Sequence, residues 1–280
     1  MKVEGLAAIV TGGASGLGGA TAEHLAKLGA KVTIFDLDAD KGEAHAAAIG
    51  GRFAKVDVTE DAAVSKAIEE AEANHGKARV LVNCAGIAPP QKMVDREGNP
   101  AALADFSKIV QINLIGSYNV LSKFAARIVD ADLIGEERGV AISTASVAAY
   151  EGQIGQAAYA ASKAGVVGMT LPIAREMARY GIRVMAIAPG LFLTPMMESF
   201  SEEVQESLGK QAPFPSRLGK PTEYAQLVES IIANPMLNGE RSASTVQSGW
   251  HRNDNGDMVP HPWPDRLKVR FRGTGRDASD

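Results

Sequence analysis

The chain has 280 residues, 45% of them hydrophobic and 22% charged, enough to bury a full core as one large domain or two small ones. A net charge of −4 and an isoelectric point near 5.8 argue against a nucleic-acid footprint, which would bring a basic excess. The one cysteine, Cys84, excludes an internal disulfide framework, no Cys/His cluster has metal-ligand spacing, and no apolar run is long enough to span a bilayer.

The first apolar run begins so close to Met1 that a leader segment has no room, and a reducing, cytoplasmic setting is the expectation. Residues 6–10 predict a strand that ends in Thr11-Gly12-Gly13-Ala14-Ser15-Gly16-Leu17-Gly18, and residues 20–28 have helical spacing up to Gly29. Strand, glycine loop and helix together put a pyrophosphate on a helix N-terminus. Residues 31–35 predict a second strand, closed by Asp36 about 20 residues beyond the loop, where an acid would bind an adenosine ribose and repel a 2′-phosphate. NAD is therefore expected rather than NADP.

A helix over 38–49, a strand over 52–55 and a helix running to about His75 follow. Residues 80–82 are a buried strand that exits into Asn83-Cys84-Ala85-Gly86. Alternation of this kind predicts an α/β fold, a single Rossmann-like doubly wound parallel sheet with helices on both faces. Cofactors lie at the strand C-terminal ends of such sheets, which places Asp57, Val58, Cys84, Ala85 and Gly86 on the cofactor side. Residues 87–102 are loop, and a helical pattern from Asp105 to about Val129 is interrupted by Asn113. A mid-helix Asn either faces solvent or disturbs the ladder, and both readings stay open.

Residues 139–144 predict a further strand, with Ser146 just past its end. The helix over 156–180 carries Tyr159 and Lys163, which share a face at this spacing, and also Pro172, which should kink it or sit near a packing irregularity. A phenol ionises near ~10 and an adjacent ammonium favours its phenolate, so the pair suits proton exchange with an alcohol or ketone. Residues 183–188 form the next strand and lead into Pro189-Gly190.

These residues together resemble the short-chain dehydrogenase/reductase family. Its T-G-x-x-x-G-x-G stands as Thr11 to Gly18, N-x-A-G as Asn83 to Gly86, Y-x-x-x-K as Tyr159 to Lys163 and P-G as Pro189-Gly190, with Asn113 and Ser146 at the family's Asn and Ser positions. The stretches Thr144 to Ala149, Gly152 to Tyr159 and Pro213 to Gly219 look more narrowly like the type 2 3-hydroxyacyl-CoA dehydrogenase branch. The resemblance implies an NAD-dependent oxidoreductase interconverting 3-hydroxyacyl-CoA and 3-oxoacyl-CoA, acting also on other hydrophobic secondary alcohols such as hydroxysteroids, and assembled as a homotetramer. A 3-oxoacyl carrier-protein reductase and a weakly catalytic dinucleotide-binding scaffold subunit are the rivals.

By that resemblance Tyr159 is the general acid/base and Lys163 binds the nicotinamide ribose and lowers the Tyr159 pKa. Ser146 bonds the reacting oxygen, and Asn113 holds a water on the proton path. Gly12, Ser15, Gly16, Leu17, Gly18, Asp36, Asp57, Val58, Cys84, Ala85, Gly86, Pro189, Phe192 and Thr194 contact NAD, together with Tyr159 and Lys163. Gln153 and Gln156, with Ser146, face the substrate, and the segment with Phe192, Met196, Met197, Phe200 and Phe214 closes over it. No metal is expected.

The pattern holds for a domain over 1–240 and then breaks. Where the family adds a last strand, residues 241–280 form an atypical tail, disordered or frameshift-derived. Back-translating Ser242 to Asp254 and regrouping one base earlier permits I-R-L-D-G-A-I-R-M-A-P-K and a stop, the branch's usual ending.

Overall fold

The computed structural model describes residues 1–198, 200–212, 214–243, 250–252 and 258–260. The chain divides into a unit spanning Met1–Val246 and a second spanning Gln247–Asp280. In the first, seven strands make one sheet in the order β3-β2-β1-β4-β5-β6-β7. They are β1 (Ala7–Thr11), β2 (Lys31–Asp36), β3 (Arg52–Lys55), β4 (Ala78–Asn83), β5 (Gly139–Thr144), β6 (Ile182–Ala188) and β7 (Arg241–Ala243). Every pairing is parallel.

Strands buried on both faces explain the unbroken apolar runs in the sequence. Along β1, Ala7 and Ile9 enter the core on one side while Ala8 and Val10 enter the core on the other, as the two-residue period requires. The helices α1 (Gly16–Lys27), α2 (Ala39–Ala48), α3 (Asp61–His75), α4 (Leu103–Val110), α5 (Ser117–Ile128) and α6 (Ala157–Met177) link the strands. Past β6 come α7 (Pro195–Glu198), α8 (Glu202–Gly209) and α9 (Pro221–Ala233). Val120, Leu121 and Phe124 of α5 join the first core, and Tyr224, Val228, Ile231 and Ile232 of α9 join the second. Among the described residues no helix is long and apolar enough to cross a membrane.

The structure departs from the sequence expectations in two places. The helix expected over 105–129 is broken by a π-helical segment, Gln111–Gly116, and Asn113 in its middle is fully buried. The ladder-disturbing reading is therefore the one realised, with the Ser117 hydroxyl donating to the Asn113 carbonyl. Lastly, the sheet does not stop at β6: Arg241–Ala243 pairs with Ala186–Ala188, because ladder hydrogen bonds need only backbone groups. Of the second unit, β8 (Trp250–Arg252) and β9 (Met258–Pro260) are described and pair antiparallel. The remaining tail residues of the disorder expectation lie outside the described residues.

Candidate active site

The strand order reverses between β1 and β4, and ligands of open parallel sheets bind outside the strand ends at such a point. Here the two exit turns are tied together. The Thr11 hydroxyl accepts from the backbone amides of Cys84 and Ala85 at 3.2 and 3.1 Å, and the Asn83 side-chain Nδ2 donates to the Ser117 carbonyl at 3.1 Å. Helix α1 starts beside this crossing. Its N-cap, Ser15, makes no side-chain cap bond and no acid stands in its first turn, so its amide donors remain to be met by an anion.

The loop geometry depends on glycine. Gly12 has φ 64°, and a Cβ on Gly18 would lie 2.2 Å from the Gly12 carbonyl oxygen, so only glycine lets helix and strand approach this closely. Gly16 and Leu17 open the helix above that contact, and Thr194 with Pro195 lies over Gly16. Asp36, at the end of β2, accepts from the Ala14 amide at 3.0 Å and the Asp38 amide at 3.1 Å, which turns its carboxylate to the loop. Asp57 accepts from the amide and hydroxyl of Thr59, and Val58 is buried with its carbonyl accepting from Asn119 at 2.8 Å. Orphan amides, a close-approach loop and an acid at the ribose distance fit a dinucleotide.

On the far side of the switch point stand the groups that can exchange protons. Ser146 lies just past β5, and its hydroxyl accepts from the Ala148 amide at 3.1 Å. The turn is fixed from β6 by the Val147 amide, which donates to the Pro189 carbonyl at 3.0 Å. Tyr159 and Lys163 stand on the same face of α6, with the Lys163 ammonium 5.7 Å from the phenol ring centroid. Asn113 is held by the Ile87 backbone, accepting from its amide at 2.8 Å and donating to its carbonyl at 2.9 Å. It also donates to the Ser162 hydroxyl at 3.1 Å, which in turn donates to the Tyr159 carbonyl at 2.7 Å. A Cβ on Gly86 would lie 3.1 Å from Asn113 Oδ1 and 3.6 Å from Lys163 Nζ, so the β4 turn reaches the same place.

Electrostatics here differ from the simple expectation. Burial raises the Tyr159 pKa above its ordinary value, and the Ser146 hydroxyl offsets this only in part. The expected depression by Lys163 is absent from this arrangement. Lys163 Nζ donates instead to the Thr144 carbonyl at 2.7 Å, and burial lowers its own pKa to about 8. Burial therefore favours the protonated phenol at Tyr159.

Gln153 and Gln156 line a groove of about 370 Å³ with Gln91, Lys92, Met93 and Ile154. Gln156 Oε1 accepts from the Gln153 amide at 2.9 Å, so that carbonyl is engaged by the loop itself. In the closing segment Phe192 is buried, whereas Phe200 and Phe214 are exposed; the Met196 side chain, Ser199 and Pro213 lie outside the description. Thr144, Ser162 and Tyr224 carry no role legible in the sequence, because a buried Thr, Ser or Tyr has no spacing signal of its own.

The short chain dehydrogenase family profile matches residues 6–205. The chain belongs to that family. Short-chain dehydrogenases are oxidoreductases that use a nicotinamide dinucleotide, consistent with the loop and Asp36. The chain is 52% identical to human 3-hydroxyacyl-CoA dehydrogenase type-2 over 243 residues, covering 85% of this chain and 93% of that protein. The 3-oxoacyl-[acyl-carrier-protein] reductase of Thermotoga maritima is 35% identical, over 81% of this chain and 90% of the relative. The crystal structure of 3-hydroxyacyl-CoA dehydrogenase type-2 from Mycobacterium avium superposes with a TM-score of 0.83 at 44% identity, covering 87% of this chain and 96% of that one.

Proposed function

We propose that this short-chain dehydrogenase interconverts 3-hydroxyacyl-CoA and 3-oxoacyl-CoA and uses NAD. The likeness to type-2 3-hydroxyacyl-CoA dehydrogenases, held over most of the chain, carries the substrate reading. Ser146, Tyr159 and Lys163 standing together support the chemistry, and Asp36, with its carboxylate at the loop, supports NAD. When bound, the nicotinamide supplies or accepts the hydride.

The protein's part is proton transfer and positioning. In reduction Tyr159 gives its proton to the substrate oxygen, and in oxidation its phenolate takes the alcohol proton. The Ser146 hydroxyl holds that oxygen beside the phenol. Lys163, anchored to the Thr144 carbonyl, holds the nicotinamide ribose. Asn113, locked to Ile87 and Ser162, continues the proton path from Lys163 through a water. Gly12, Ser15, Gly16, Leu17 and Gly18 cradle the pyrophosphate, while Asp57, Val58, Cys84, Ala85 and Gly86 border the adenosine half. Pro189, Phe192 and Thr194 complete the cofactor wall, and Gln153 and Gln156 meet the acyl chain or thioester.

The deciding assay is oxidation of NADH with acetoacetyl-CoA, set against oxidation of NADPH with the same acyl group on an acyl carrier protein. Turnover of the first pair is expected. Turnover of the second pair alone would replace this reading with a carrier-protein reductase.

Two further results follow. Asp36→Ala removes a charged acceptor, and bonds to charged groups contribute about 1.5–3 kcal/mol, so KM for NADH should rise roughly 10- to 100-fold while discrimination against NADPH collapses. An unchanged NADH/NADPH ratio of kcat/KM would remove Asp36 from the site. The second concerns pH. Lys163 is charged below about 8 and neutral above it, so kcat/KM for NADH in reduction should fall as pH rises through about 8. A profile flat up to pH 10 would contradict that assignment.

A further inference from the structure

Thr144, the last residue of β5, is a junction between the lysine and helix α9. Its carbonyl accepts from Lys163 Nζ at 2.7 Å, and its hydroxyl lies 2.7 Å from the Tyr224 hydroxyl. The same hydroxyl donates to Cys84 Sγ at 3.3 Å, and Cys84 Sγ lies 3.8 Å from Tyr224 Oη. These distances close a ring in which Tyr224 donates to Thr144, Thr144 donates to Cys84, and the thiol donates weakly back to Tyr224.

Tyr224 is fully buried on α9 and is the largest such side chain in the core. A phenol hydroxyl in that position would be costly unless bonded, and Phe would fill the same space without that cost. Its ring has a second contact: Phe192 meets it edge-on, with centroids 6.4 Å apart and planes at 89°. Phe192 in turn lies flat against Gly219, where a Cβ would come within 2.8 Å of its ring, and the Leu193 amide donates to the Gly219 carbonyl at 2.8 Å. One residue therefore braces the strand end that anchors Lys163 and the root of the segment that follows Pro189-Gly190.

We propose that Tyr224 is a positioning residue for the reaction: its hydroxyl fixes Thr144, whose carbonyl holds Lys163 beneath Tyr159, and its ring seats Phe192 on the cofactor wall. This rests on the proposed dehydrogenase reading, and it names a control on the lysine that the family motifs do not contain. The titratable groups about Lys163 are Tyr159 on its own helix, Cys84 at the β4 turn and Tyr224 on α9. Loosening the Thr144 carbonyl removes an acceptor from a buried ammonium, which favours the neutral amine.

The test uses Tyr224→Phe, which keeps the ring, beside Thr144→Val and Thr144→Ser in the full chain. NADH binding is followed by fluorescence from pH 6 to 10, and kcat is measured on whichever substrate the wild type reduces. Tyr224→Phe and Thr144→Val should each move the pH midpoint of NADH binding downward by about half a unit or more and lower kcat about 10-fold; Thr144→Ser should restore both. The double variant should do little more than either single one, since the Tyr224–Thr144 bond is lost in both.

A purely structural role would lower the melting temperature alone. Midpoint and kcat within twofold of wild type in both Tyr224→Phe and Thr144→Val would overturn the proposal. If Tyr224→Phe fails to fold, Thr144→Val, which conserves volume, decides the question. The binding midpoint needs no thioester, so a wrong substrate assignment would show as missing turnover with the midpoint still shifted.

Discussion

Tyr159→Phe should lower kcat by about 10²- to 10⁴-fold, the usual worth of a positioned general acid. The substitution removes one oxygen and leaves the ring in place on α6, so packing changes little. Lys163 keeps its Thr144 anchor and Ser146 keeps its Ala148 contact, because neither bond passes through the phenol. NADH affinity should therefore stay within about threefold, since a bond made only in the transition state affects kcat without affecting binding. Single-turnover reduction of acetoacetyl-CoA, run beside NADH fluorescence titration, separates the two effects. Loss of both together would mean that Tyr159 holds the site's shape rather than moving the proton.

The second large effect lies at the opposite end of the sheet and concerns stability. Arg183, at the start of β6, is 5% exposed and pairs with Glu137 at 2.6 Å. Its guanidinium also donates to the carbonyls of Ile231, Ile232, Asn234 and Leu237, the C-terminal end of α9 and the turn beyond it. Glu137 meets the Met1 ammonium at 2.8 Å through its other oxygen. Arg183→Met keeps most of the aliphatic stem but leaves a buried carboxylate short of a partner and a set of carbonyls unmet.

Breaking a buried pair in this way costs about 3–5 kcal/mol. For a domain of this size that corresponds to a fall in melting temperature of roughly 10 °C. Thermal unfolding of the purified variant checks it, and a fall of only a degree or two would mean that the network contributes little. Because α9 carries Tyr224, a loosened α9 should also reduce turnover below the melting transition.

Much of the site was legible in the chain itself. The glycine loop, Asp36, the Asn83 to Gly86 turn and the Tyr159/Lys163 pair announce themselves because their chemistry depends on spacing within one turn, one strand end or one helix face. Asn113 was legible as an anomaly and not as a geometry: a buried amide in a helix has two outcomes, and the bonds to Ile87 and Ser162 decide between them. Tyr159 shows the limit most clearly. Its neighbour at four residues suggested a lowered pKa, yet the ammonium is drawn to a strand carbonyl and burial raises the phenol instead.

The alternation of strands and helices, the two faces of the sheet and the shared helix face of Tyr159 and Lys163 follow from the sequence alone, since hydrophobic period and turn chemistry are local properties. The strand at Arg241–Ala243 does not, because backbone pairing accepts a polar run that side-chain patterning rejects. Nor does the ring of Cys84, Thr144 and Tyr224, whose members lie 60 and 80 residues apart along the chain. Burial, hydrogen-bond partners and pKa are set by whatever the fold brings within a few ångströms, and that proximity exists only once the sheet has closed around them.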